Sequence, residues 1–176
     1  MYRYFFAFLL IAGFGVPAGA QAKDAHPVRD ELMRQFESSM SKVIALADAM
    51  PAESYVWKPS ADAMPVGHVY AHIAHYNFMY PANAMGIDAP GTIRLDTLEA
   101  MRNKAQIVAV LRQSAEHVRR SLTAMPAAEL EKGTTLYGRT LPKWSVMLQL
   151  VAHMNEHLGQ SIAYARSNNI VPPWSR

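Results

Sequence analysis

The chain has 176 residues, a formal net charge of +3 and no cysteine. The lack of cysteine excludes a disulfide framework, a thiol nucleophile and a thiolate metal site. The small positive charge comes from scattered basic residues, so no concentrated patch for nucleic acid is expected.

The first stretch, MYRYFFAFLLIAGFGVPAGAQA, carries one early positive charge, Arg3, then an apolar run from Phe5 to Val16, then small residues. That is the layout of a secretory signal peptide over residues 1–22. The run falls short of the about 20 apolar residues that a bilayer span needs. Ala18-Gly19-Ala20 and Ala20-Gln21-Ala22 both suit cleavage. Cleavage removes Arg3, takes the net charge from +3 to +2, and leaves one domain over 23–176. The expectation is an exported protein, periplasmic or extracellular, with no stable membrane insertion after the leader is removed.

Four segments then carry helical periodicity. The first runs from about Pro27 to Met50, with Leu32, Phe36, Met40, Val43 and Leu46 at steps of three and four, and ends at Pro51. The second starts near Pro65 and runs to about Ala84. It contains Pro81, which predicts a kinked last turn or an earlier end. The third starts at Asp96, with Glu99 three residues on as in a capping box, and runs to about Met125. A turn-rich connection follows, with room for a short hairpin over Gly133 to Thr140. The fourth begins with Pro142 and runs to about Ser167, where Asn168-Asn169 supplies a left-handed stop before Pro172-Pro173. Four amphipathic helices in one small domain predict an all-α four-helix bundle, with connections long enough for crossovers. The methionines are spread over separate helices and read as packing residues.

Five of the seven histidines form two clusters, His68, His72 and His75 on the second helix and His153 and His157 on the fourth. His26 and His117 stand alone and read as exposed or locally bonded. At about 100° per residue, His157 lies roughly 85° from the centre of its helix's apolar face and His153 roughly 125°. On the second helix, His72 lies roughly 80° from the apolar centre, His68 about 120° and His75 about 140°. His72 and His157 are therefore best placed to turn inward. His68 and His153 are each the one-turn partner of a well-placed histidine, and geometry does not rank one above the other. His75 reads as solvated or as support behind a ligand. Three converging imidazoles suit zinc, nickel, copper or iron(II) and leave a position for water or substrate. Gln160 and Tyr164 continue the histidine stripe and are placed to orient an imidazole through its second nitrogen. Gly159 is expected to permit close helix approach. Arg166, Trp57 and Trp174 suggest no specific role.

His153 to His157 also spells H-x-x-E-H, an inverzincin protease signature. That reading fails on the residues. Glu156 points about 60° to the far side of His153 from the apolar face. None of the nineteen residues after His157 is Asp or Glu, so the downstream carboxylate ligand is missing.

The fourth helix and its tail, LQLVAHMNEHLGQSIAYARSNNIVPPWS, resemble the end of the DinB-like (DinB/YfiT) superfamily. There an H-x-x-x-H-x-G-Q pattern is followed by an arginine and a turn into prolines, here His153, His157, Gly159, Gln160, Arg166 and Pro172-Pro173. VGHVYAHIAHYNFMY is similar to the family's other metal-bearing helix, and YVWKPSADAMPVGH to its lead-in. The resemblance covers about residues 27–176. It implies an up-down-down-up bundle and a divalent ion, zinc or nickel, on His72, His153 and His157, and it is what prefers His153 over His68. It further implies activation of a water or thiol nucleophile, of hydrolase or thiol-dependent transferase type. The family's thiol cofactors are cytosolic, whereas this leader directs the chain outward. The alternative is a non-catalytic exported binding module with a structural or vestigial metal. The expected partner is a small molecule of unknown identity rather than nucleic acid, with a homodimer as a further expectation.

Overall fold

The structure, a computed structural model, describes residues 25–175. The expected leader lies outside the described residues. Helix α1 spans Pro27–Ala49, α2 Val66–Met85, α3 Leu95–Leu98, α4 Lys104–Ala124, α5 Ala127–Leu130 and α6 Lys143–Ser167. A 3-10 turn, Ala52–Val56, joins α1 to α2. Between α5 and α6 lies an antiparallel hairpin of β1 (Gly133–Leu136) and β2 (Arg139–Pro142), pairing Gly133 with Pro142 and Leu136 with Arg139.

Contacts between the long helices fix their directions. Gly67 of α2 lies beside Ile107 of α4, and Phe78 further along lies beside His117, so these two helices run parallel. Asp48 and Glu37 of α1 pair with Arg112 and Arg119 of α4 respectively, which makes α1 and α4 antiparallel. His72 of α2 reaches His157 of α6, while Tyr80, two turns on, reaches back to His153, so α2 and α6 are antiparallel. The order is up-down-down-up. The parallel step from α2 to α4 requires a crossover, and residues 86–103 supply it.

The core is aliphatic and aromatic. Phe36, Met40, Leu46, Ile73, Phe78, Ile107, Leu111 and Leu122 are fully enclosed between the four long helices. Tyr55 on the 3-10 turn ties α1 to α2. Its hydroxyl donates to the Ala47 carbonyl at 2.7 Å, and its ring lies where a Cβ on Gly67 would come within 2.9 Å. Lys104, at the start of α4, donates to the Asp48 and Met50 carbonyls and so satisfies the open end of α1.

Several details differ from the sequence reading. The third helix does not start at Asp96. Helix α3 ends after one turn, and α4 starts afresh with Asn103 as N-cap, its side chain accepting from the Gln106 N–H at 3.1 Å. The Asp96–Glu99 capping box does not form, because Glu99 turns to the histidines of α2. Pro81 does not end α2, which continues to Met85 and stops at Gly86 in the left-handed conformation. Gly159 is exposed with nothing within 4 Å of a Cβ built on it, so it permits no close approach; Gly67 does. His26 is buried, caps α1 by accepting the Arg29 N–H at 3.0 Å, and reaches Glu131 at 2.9 Å. His117 is half-buried against Phe78 at 5.2 Å between ring centroids.

The hairpin and the left-handed stop after α6 match the sequence reading. Asn169 has φ 59°, and the hairpin turns on Tyr137 and Gly138, both at positive φ.

Candidate metal centre

Helix α2 carries His68, His72, His75 and Tyr76 on its side toward α6 and the crossover, because the intervening residues face the core. Helix α6 presents His153 and His157 one turn apart. The antiparallel packing of the two helices brings His72 between them. The ring centroids of His72, His153 and His157 lie 4.6–5.0 Å apart, and their nitrogen donors all lie within 4.8 Å of one another.

His72 Nε2 and His153 Nε2 are 3.2 Å apart. Two lone pairs at that separation repel unless a proton or a cation lies between them. Zinc–imidazole bonds of 2.0–2.1 Å put two nitrogens about 3.0 Å apart at a right angle and about 3.4 Å apart at a tetrahedral one. The observed spacing falls between these values. The donor set of three imidazoles therefore fits a divalent transition ion.

Two of the three rings have their second nitrogen held. His72 Nδ1 lies 2.6 Å from Glu99 Oε1. An ionised carboxylate only accepts, so Nδ1 carries the proton and Nε2 keeps its lone pair toward the cluster. His157 Nδ1 donates to Gln160 Oε1 at 2.8 Å, and Gln160 Nε2 donates to the Tyr164 hydroxyl at 2.9 Å. Trp57 packs edge-on against Tyr164 at 5.4 Å and closes that end of the chain of bonds. His153 is held by rings, with Tyr76 at 4.2 Å and Tyr80 edge-on at 5.9 Å.

Burial favours the neutral form of His153 and His72. Burial, then the neighbouring His157 and His72, push the His153 pKa down to about 3. Burial also lowers that of His72, against the opposing pull of Glu99. Burial alone would raise the Glu99 carboxyl, but its bonds from His72 and His68 outweigh this and hold it below the ordinary carboxylate value. Neutral imidazole is the form that binds metal, so little proton release is needed near pH 7.

The other expected residues fall around this cluster. His68 turns to Glu99, 3.5 Å from Oε2, and with His72 and Glu99 it makes a second group whose donors lie within 4.8 Å. His72 belongs to both groups. Its Nε2 faces His153 and its Nδ1 faces the carboxylate that His68 also approaches. His75 is half-buried, bonds the Leu95 carbonyl at 3.1 Å and does not join either group. Arg166 and Glu156 are exposed. The sequence reading missed Glu99 as a partner of the histidines. The available signal was a rival cap, Asn103 with Gln106 three residues on, which leaves Glu99 outside the long helix.

A search of curated proteins found no match. Among solved structures the chain is similar to a DinB-like protein from Bacillus cereus ATCC 10987, with 16% identity and a TM-score of 0.69 over 82% of this chain and 95% of that one. It is also similar to a DinB-like protein from Bacillus subtilis, with 15% identity and a TM-score of 0.65 over 80% of this chain and 93% of that one. These likenesses concern the fold. The family model of the DinB superfamily matches residues 35–161, and with the bundle order described above the chain belongs to the DinB superfamily.

Proposed function

We propose that the protein binds one divalent ion, zinc or nickel, through His72, His153 and His157, and is a metalloenzyme of hydrolase or thiol-dependent transferase type acting on a small molecule. The observation that carries this is the convergence of three imidazoles, two with the second nitrogen already held by Glu99 and Gln160. When bound there, the ion would lower the pKa of a coordinated water or thiol and supply a nucleophile at neutral pH. The chain's own part is to fix ring orientation, to keep His72 and His153 deprotonated and to hold aromatic rings beside the site. Since the chain has no cysteine, any thiol must come with the substrate. His72 and His153 keep partial solvent exposure, which supports an open position over a closed structural site.

Metal analysis of untagged protein tests the reading. The expected result is one equivalent of ion per chain in the wild type and none in His157→Ala. Metal-free wild type that takes up no zinc or nickel on titration would overturn it. Export remains part of the proposal and rests on the leader pattern of residues 1–22. Among the described residues, no helix is long and apolar enough to cross a membrane. The N-terminal residue of protein recovered from outside the cytoplasm tests export directly, with Gln21 or Lys23 expected.

A further inference from the structure

The hairpin packs against both histidine-bearing helices. Its turn residues Tyr137 and Gly138 have φ of 51° and 74°, the pattern of a type I′ turn. Such turns favour Asn or Gly at the first position, because a larger side chain is strained at positive φ. Tyrosine is a poor residue for this turn. It is also 62% exposed, so burial of the ring does not explain its place.

What does distinguish it is its contact. The Tyr137 hydroxyl lies 2.8 Å from that of Tyr80, whose ring is buried and edge-on to His153 at 5.9 Å. Tyr76 lies 5.1 Å from Tyr80 and 4.2 Å from His153, with 31° between the last two planes. Tyr76 keeps partial exposure. The three phenol rings thus form one aromatic surface leading from the His153 imidazole out to solvent. This side of the site therefore offers flat phenol rings. The other group beside His72 is different in kind, the Glu99 carboxylate against His68 and His72.

We propose that Tyr137 and Tyr76 form a recognition wall that selects a small ligand joining a metal-binding oxygen or sulfur donor to a flat aromatic or conjugated group. The inference rests on the metal reading above and adds the substrate class. Flat rings stack or meet edge-to-face with the wall, whereas a compact aliphatic group gains less from it. The strain at Tyr137 is then the consequence of placing a phenol at the rim.

Benzohydroxamate and acetohydroxamate share one chelating group and differ in a ring against a methyl. Each is titrated into cobalt-loaded protein and followed by the metal's visible absorption. The wild type should bind benzohydroxamate about tenfold more tightly. In Tyr137→Asn, whose residue suits the turn, the margin should shrink to about twofold, while Tyr137→Phe should keep most of it. Tyr76→Leu, which keeps bulk without a ring, should also lose the margin. A protein that takes up no metal overturns the site reading and this inference together. Metal uptake with equal affinities for the two probes, or a margin unchanged in both Tyr137→Asn and Tyr76→Leu, overturns this inference alone.

Discussion

Helices α2 and α6 each deliver imidazoles to the same cluster, but they do so from different surroundings. Helix α2 buries 13 of its 20 residues and touches α3, α4, α6, β1 and the 3-10 turn, whereas α6 buries 10 of 25. His72 of α2 is steadied by a carboxylate from another segment, Glu99 on the crossover. His157 of α6 is steadied from within its own helix by Gln160, three residues on. Helix α2 is the more buried of the two, and the support for its histidine comes from another segment of the chain. A half-exposed helix can carry ligand and support on one stripe.

That contrast can be broken at the supporting residues first. Glu99→Ala should weaken metal binding about 10–100-fold, the usual effect of losing an outer partner of a ligand. Gln160→Ala should cost less, about tenfold or below, because its neutral amide makes a weaker bond than a carboxylate. Calorimetric titration of both variants with zinc checks the order, and a larger loss in Gln160→Ala would reverse the comparison. Packing sharpens it next. Gly67→Ala should destabilise the fold by about 1–3 kcal/mol, since the new methyl meets both the ring and the carbonyl of Tyr55. Gly159→Ala should do the opposite and add about 1 kcal/mol, because it sits exposed within α6 with open space around it. Urea unfolding of the two variants reads both signs in one experiment.

The same contrast explains what could be read in advance. Helices α1 and α6 are amphipathic, so their apolar steps, the Pro51 stop and the Asn168-Asn169 end are visible in the chain itself. In α2 apolar and small residues occupy most faces, and periodicity says little about which histidine turns where. Helical spacing turns His72 inward but leaves His68 and His153 level. The choice between them depended on which nitrogen faces which neighbour, and that is set by tertiary packing. The capping box at Asp96 was a locally sound reading that lost to a tertiary one. Glu99 gains more from two imidazoles than from a backbone N–H, and Asn103 was available to start α4. Gly159 was misread because a glycine beside a histidine pair looks like a packing contact, yet its side of α6 faces water. His26 could be placed only with Glu131, 105 residues away, in view.

The aliphatic and aromatic core described above closes between the long helices, and of the three histidines only His157 is buried beside it. With a core of this size, a metal ion bound at the cluster would not be needed for the bundle to fold, unlike in small zinc modules whose chain collapses only around the ion. Bound metal would raise the melting temperature by mass action and would not decide whether the bundle forms. For a lineage of such proteins this is a licence to vary. Donors and rim residues can be exchanged one at a time while the scaffold persists, and the same bundle can host unlike chemistries in its descendants.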